Sequence, residues 1–136
     1  MKIQIDFFSG DLISAIGGGI YKVSVKRKDG ANRTLYIGES VFVLVRCASH
    51  LYGLKKNPAY FSFKPEQIND NETTLIFSLI KEESDKGKRR KVELDYIEEY
   101  KPICQSGISD RMKPIDERIE ALTNFLNGAN TPEDSE

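Results

Sequence analysis

One carboxylate in the second half of the chain is directed towards the protein interior by its own predicted helix. Residues 88–100 predict a helix that Pro102 ends. At roughly 100° per residue, Glu93 falls inside the apolar arc of this helix, which is formed by Val92, Tyr96, Ile97 and Tyr100. A buried carboxylate is destabilising by several kcal/mol unless a salt bridge, hydrogen bonds, a raised pKa or a metal ion compensates it. The helix alone favours a structural ion pair over a metal ligand.

The two cysteines, Cys47 and Cys104, have neither the spacing nor the number required for a zinc site or a disulfide framework. Cys47 precedes the one histidine, His50, by three residues, which is a spacing compatible with a nucleophilic pair. On a helix, however, the two side chains point about 60° apart. We therefore interpret Cys47 as a packing thiol.

Basic residues are concentrated in two clusters, although 20 Lys and Arg against 21 Asp and Glu give a net charge of −1. A local basic patch binds phosphate even when the whole molecule is nearly neutral. Positive charge near a helix N-terminus opposes the helix dipole, so helix stability does not explain the second cluster. Phosphate contact and a solvated surface both remain open for the hairpin basic cluster (Lys22, Lys26, Arg27, Lys28, Arg33) and the second basic cluster (Lys86, Lys88, Arg89, Arg90, Lys91).

Length and composition predict one globular domain. The chain has 136 residues, of which 39% are hydrophobic and 30% charged, within the usual globular range. The longest apolar run, residues 41–45, is far shorter than the roughly 20 residues of a membrane span, and the N-terminus lacks a secretory pattern. We expect a cytoplasmic protein that has no membrane partner, with a domain at residues 1–127 and a flexible acidic tail at 128–136.

Alternating and helical hydrophobic patterns predict the elements that position these residues. Strands are expected at residues 2–8, 20–27, 34–40 and 73–80, with Asp29-Gly30 as the turn of a hairpin. Helices are expected at residues 41–52, 88–100 and 114–127. The fold class is therefore α+β, with a small, mainly antiparallel central sheet covered by helices.

The segment 41–52 is ambiguous because its valines also suit a strand. On a helix, one apolar face would be formed by Val41, Val45, Ala48 and Tyr52. Arg46, Ser49 and His50 would then lie on the opposite face. This separation favours a helix.

A set of short motifs then occurs in a fixed order along the chain. Gly19-Ile20-Tyr21 begins the first strand of the predicted hairpin, and Tyr36-Ile37-Gly38 ends the second. Arg46, His50 and Glu93 follow on helices, and Pro102 closes the series. From about residue 19 to residue 105 the chain resembles the GIY-YIG nuclease superfamily.

The resemblance implies an endonuclease that hydrolyses DNA phosphodiester bonds with one divalent metal, Mg²⁺ or Mn²⁺. It implies that Glu93 is the metal ligand and that Arg46 stabilises the transition state at the scissile phosphate. Tyr21 and Tyr36 would flank the attacking water, and His50 would orient a tyrosine or contact phosphate. Gly19 and Gly38 would allow close approach of the backbone.

The partner implied is DNA, with RNA not excluded, and a domain this small without a recognition module should bind DNA weakly or form a homodimer. Gln105 joins Lys22, Lys88 and the other basic residues as an expected nucleic-acid contact. The family often has asparagine where this chain has Gln105, and lysine or glutamine where it has Glu39. These departures motivate an alternative, a nuclease-like domain that binds nucleic acid or protein without cleavage. Hydrolysis through Cys47 and His50 ranks below both.

Overall fold

The computed structural model describes residues 1–105 and 112–129, in which one four-stranded sheet is covered by three α-helices. The predicted α+β class is confirmed, and every predicted segment is present with its ends shifted by a few residues. Residues 130–136, most of the predicted tail, lie outside the described ranges. No helix within those ranges is long and apolar enough to span a membrane. In chain order the elements are β1 (Gln4–Phe7), β2 (Gly19–Lys26), β3 (Asn32–Ser40), α1 (Val43–Lys56), β4 (Thr74–Glu82), α2 (Lys86–Tyr100) and α3 (Ile115–Leu126).

The strands are arranged in the order β1-β4-β2-β3, and the sheet is mixed. The pairs β2–β3 and β2–β4 are antiparallel, as expected, but β1 runs parallel to β4. The prediction of a mainly antiparallel sheet therefore holds for the central hairpin and its neighbour and fails at the β1 edge. Alternation along β1 predicts a strand, but it carries no information about the direction of its partner.

The two faces of the sheet carry different helices. Tyr21 and Val23 belong to the large core, together with Cys47 of α1. Ile20 and Ile37 point to the other face, where they pack against α2. Because side chains alternate along a strand, α1 and α2 lie on opposite faces of the sheet.

The helix predicted at residues 41–52 is present as α1, and the core covers the side that carries Cys47 and His50. The buried residues of this helix are Val43, Cys47, His50 and Leu54, whereas Val45, Ala48 and Tyr52 are exposed. His50 is tolerated on the inner face because both of its ring nitrogens are hydrogen-bonded there. Hydrophobicity alone did not predict this face because the chain supplies apolar residues on both sides of the helix.

Candidate active site

A chain of three hydrogen-bonding side chains joins β2, α1 and the segment after α1. The hydroxyl of Tyr21 lies 2.7 Å from Nε2 of His50, and Nδ1 of the same ring lies 2.7 Å from the hydroxyl of Tyr60. Tyr60 sits in a 3₁₀ turn (Pro58–Phe61), directly after α1. The rings of Tyr36 and Phe61 pack within 5.4 and 5.6 Å of the imidazole centroid. Four elements of the fold thus hold this histidine in one orientation.

Arg46 lies one helical turn before His50 and is solvent-exposed. Partial burial alone would lower the pKa of Arg46, but the phenols of Tyr21, Tyr36 and Tyr60 raise it above its ordinary value. The guanidinium is therefore a permanent cation that lies beside three hydroxyl groups and remains accessible to a ligand. This combination suits a phosphate, whose oxygens accept hydrogen bonds from both kinds of donor.

Burial and neighbouring charge fix the protonation states of this chain. Burial, followed by the charge of Arg46, lowers the pKa of His50 to about 4, so the ring is neutral at pH 7. Burial, followed by the neighbouring phenol of Tyr36, raises the pKa of Tyr21 above its ordinary value. A neutral imidazole donates from one nitrogen and accepts at the other. The arrangement is therefore a relay of neutral hydrogen bonds, and Tyr21 is not a resident phenolate.

Two glycines make this packing sterically feasible. Gly38 lies opposite Tyr21 across the β2–β3 hairpin, and a Cβ there would lie 2.3 Å from the Tyr21 hydroxyl oxygen. Gly53, in α1, faces the Tyr60 ring in the same way, at 2.5 Å. The resemblance implied a backbone role for Gly38, and here the role is to seat a tyrosine ring. Gly19 lies against β4, where a Cβ would be 2.5 Å from the carbonyl oxygen of Lys81.

Tyr60 is the member of this group that the sequence analysis did not single out. The position of Gly53 in the sequence was a signal that another residue packs closely against α1. A glycine inside a helix, one turn after His50, is unfavourable unless something packs closely against it. That signal indicates a close contact without naming the residue that makes it.

Glu93 is 5% exposed, as the sequence predicted from its place in the apolar arc of α2. Its Oε1 lies 4.0 Å from Nε of Arg90, one turn earlier on the same helix. Four predicted catalytic residues, Tyr21, Tyr36, Arg46 and His50, lie on the α1 face of the sheet, whereas Glu93 belongs to the helix that packs on the other face. The structure thus gathers the first four into one cluster.

The side chains around Glu93 fit only a metal site that has few protein ligands. Among residues 1–105 and 112–129, no group of three or more His, Cys, Asp or Glu side chains is arranged to hold a metal. Mg²⁺ keeps several waters and is often bound by one or two carboxylates together with substrate phosphates. Glu93 as the sole protein ligand is compatible with that coordination and with no richer one.

Arg89, expected to contact nucleic acid, is buried instead. Its Nε donates to Glu39 Oε1 at 2.7 Å, and its Nη1 donates to the carbonyls of Glu83 and Ser84 at 3.3 and 2.8 Å. The ion pair ties the start of α2 to β3 and neutralises Glu39. The acid that departs from the family pattern is therefore a structural partner of Arg89.

Gln105 is also buried, and both ends of its amide are used. Its Oε1 accepts from the Ile37 backbone N–H at 2.9 Å, and its Nε2 donates to the Ile37 carbonyl at 2.8 Å. The segment after α2 is thereby attached to the strand that carries Tyr36-Ile37-Gly38. Gln105 thus has a structural role, in place of the expected nucleic-acid contact.

The hairpin basic cluster also contains both residues with structural contacts and residues that remain exposed. Arg27 stacks 4.7 Å from the centroid of Phe125 and donates to the Phe125 and Ala129 carbonyls, which secures the end of α3. Arg33 is buried, and Lys22 lies over the Tyr100 ring on the α2 face. The expected nucleic-acid contacts that remain exposed are Lys26, Lys28, Lys88 and Arg90.

Cys47 is fully buried, and burial raises the pKa of its thiol to about 12. The thiolate needed for nucleophilic attack is thus scarce at neutral pH. The interpretation of Cys47 as a packing thiol is confirmed.

No protein-family model, curated protein or solved structure matches this chain. The GIY-YIG resemblance therefore stays a prediction, carried by the residues themselves. The chemistry of the cluster around His50 is therefore the feature of the molecule that indicates a function.

Proposed function

We propose that this protein is a metal-dependent endonuclease that hydrolyses phosphodiester bonds in DNA. One observation carries the proposal: the Tyr21–His50–Tyr60 chain is continuous at 2.7 Å per link, and the cation of Arg46 lies among its phenols. A permanent cation stabilises negative charge on the phosphate and a proton relay takes up the proton of the attacking water, and both contributions support phosphodiester hydrolysis. RNA, which contains the same kind of linkage, is the second candidate substrate.

Arg46 binds the scissile phosphate in this mechanism. Its guanidinium is planar and carries a fork of N–H donors, which match two phosphate oxygens at once. As water attacks, negative charge grows on those oxygens, so the attraction to Arg46 is stronger in the transition state than in the ground state.

The relay takes up the proton of the attacking water without forming a phenolate. The Tyr21 hydroxyl accepts the water proton while its own proton passes to Nε2 of His50. The proton on Nδ1 passes in turn to the Tyr60 oxygen, whose own proton leaves to solvent, so the imidazole ends neutral. The low pKa of His50 suits a group that passes a proton on rather than storing it. Tyr36, half-buried beside Tyr21, is the second candidate for holding the water.

Glu93 would hold the divalent ion, Mg²⁺ or Mn²⁺. When bound, such an ion neutralises the charge that develops on the leaving oxygen. The task of Glu93 would be to present its carboxylate to that ion from α2.

A plasmid-nicking assay with Mg²⁺ or Mn²⁺ tests the proposal. We expect cleavage that chelation abolishes, and at least a 100-fold loss of rate in Arg46→Met and in Glu93→Gln. Lys55→Met, which removes an exposed base outside both basic clusters, is the matched control and should retain cleavage. A wild-type protein that fails to cleave plasmid, duplex and single-stranded substrates with either metal would contradict the proposal.

The alternative function is a nuclease-like domain that binds nucleic acid without cleaving it. The placement of Glu93 on the helix of the opposite sheet face, 4.0 Å from Arg90, favours it. This alternative predicts that fluorescence anisotropy detects duplex binding that Arg46→Met weakens and Glu93→Gln leaves unchanged. Metal-dependent turnover by the wild type would exclude it.

A further inference from the structure

Helix α1 begins with apolar side chains on two sides, and residues 1–105 and 112–129 cover one of them. The inner face packs in the large core through Val43, Cys47 and Leu54. On the outer side Val45 is 68% exposed, and Phe42, at the start of the helix, is 56% exposed. Further along the helix the outer side also carries polar residues, so the unpartnered apolar surface lies at the start of α1. An exposed apolar surface of this kind is typical of an interaction site.

A second apolar segment extends this surface. The 3₁₀ turn Ser14–Ile16 lies beside the start of α1, where the Val43 N–H donates to the Gly17 carbonyl at 3.0 Å. Its neighbour Ile13 is 79% exposed. We define the α1 outer patch as Leu12, Ile13, Ile16, Val41, Phe42 and Val45, which are exposed by 48 to 79%.

The size of the α1 outer patch matches an interface between two protein chains. With roughly 200 Å² for a fully exposed large side chain, the six residues present roughly 700 Å². The largest apolar patch on an ordinary monomer is about 300–600 Å². A stable protein–protein interface buries about 800 Å² on each partner, which the patch and a polar rim would supply.

The charge of the region indicates which partner fits. Residues 12–21 contain neither acid nor base, and Arg46 is the one charged residue in 41–54. Nucleic acid is bound through cations that neutralise phosphates, and the α1 outer patch contains none. An uncharged apolar patch, by contrast, meets its own copy across a two-fold axis without like-charge repulsion.

We propose that the α1 outer patch binds a second copy of this chain, with the two α1 helices packed across a two-fold axis. Packed helices lie about 8–10 Å apart, so each Arg46 would stand at the rim of the shared interface. The proposal itself does not depend on nuclease activity. If the proposed function also holds, both candidate sites are part of one assembly.

Sedimentation equilibrium of the full chain without nucleic acid tests the interface. We expect a wild-type dimer and at least a tenfold weaker association in Val45→Glu, because the two-fold axis places the new carboxylates near each other. Leu94→Glu, at an exposed apolar position of α2, is the matched control and should remain dimeric. A monomeric wild type, or a dimer that Val45→Glu leaves unchanged, would overturn the proposal.

Crosslinking provides a second readout that does not depend on a destabilising charge. Cys47 and Cys104 are buried, so a thiol introduced at the exposed Ala48 is the accessible one among the described residues. Ala48→Cys should form a covalent dimer with a short bis-maleimide, and Leu94→Cys should not. Equal crosslinking of the two variants would contradict the two-fold packing. If the wild type is monomeric and Val45→Glu weakens DNA binding, the patch contacts nucleic acid and the proposal fails.

Discussion

Replacing Gly38 by alanine tests the packing on which the candidate site depends. The added methyl carbon would lie 2.3 Å from the hydroxyl oxygen and 2.5 Å from Cζ of Tyr21. Tyr21 is 1% exposed and is held at its hydroxyl by His50, so its ring has no free space into which it can turn. The methyl and the ring cannot occupy their present positions together.

The expected free-energy change follows from these distances. Carbon atoms in favourable contact are about 3.5–4.0 Å apart, so the ring or the β3 backbone must shift by about 1 Å or more. Overpacking of this kind costs typically about 1–3 kcal/mol. A shift of that size also breaks the Tyr21–His50 hydrogen bond, which contributes about 0.5–1.5 kcal/mol. Gly38→Ala should therefore destabilise the protein by about 2–4 kcal/mol.

Urea denaturation followed by circular dichroism measures this loss. Gly17→Ala is the matched control, because a Cβ there meets nothing within 4 Å and its φ of −87° suits alanine. The control should lie within about 0.5 kcal/mol of the wild type. If the two variants are equally stable, the close approach of Tyr21 to Gly38 is refuted, and with it the fixed geometry of the relay.

Three further predictions concern charge and burial. Because burial, followed by the charge of Arg46, lowers the pKa of His50 to about 4, the unfolded chain binds this proton at higher pH than the folded one. His50 therefore makes its full contribution to the free energy of unfolding above about pH 6.5. That free energy should fall by about 3 kcal/mol as the pH drops towards 4. NMR of this one imidazole should show no titration above pH 5. Arg89→Met leaves its carboxylate partner on β3 partly buried and should cost about 2–4 kcal/mol in urea denaturation, whereas Lys88→Met should cost less than about 0.5 kcal/mol. Iodoacetamide should leave Cys47 unmodified in the folded protein at pH 8 and alkylate it in urea; rapid labelling of the folded state would contradict its burial.

Local patterns along the chain were sufficient to predict most elements. The alternation of residues 20–25 and the Asp29-Gly30 turn predicted the β2–β3 hairpin, because both signals depend on neighbouring residues. The inward position of Glu93 followed from helical periodicity alone. Each of these features is determined within a few residues of where it appears.

Such local patterns do not predict pairings between segments that are distant in the sequence. The parallel partner of β1 lies about 70 residues away, and alternation carries no sign of direction. Arg89 and Gln105 were expected to contact nucleic acid because their types suit it, yet each finds its partner on β3. Hydrophobicity does not identify the buried face of α1, because apolar residues occupy both sides and the sheet selects one.

The order and spacing of Tyr21, Tyr36, Arg46 and His50 along the chain are what make it resemble the GIY-YIG superfamily, and local strand and helix patterns placed them on β2, β3 and α1. The second hydrogen-bond partner of His50, Tyr60, is identified by the three-dimensional structure alone. The reason is physical: a buried imidazole needs a partner at each nitrogen, and close packing against Gly53 supplies the second one from a separate turn of the chain.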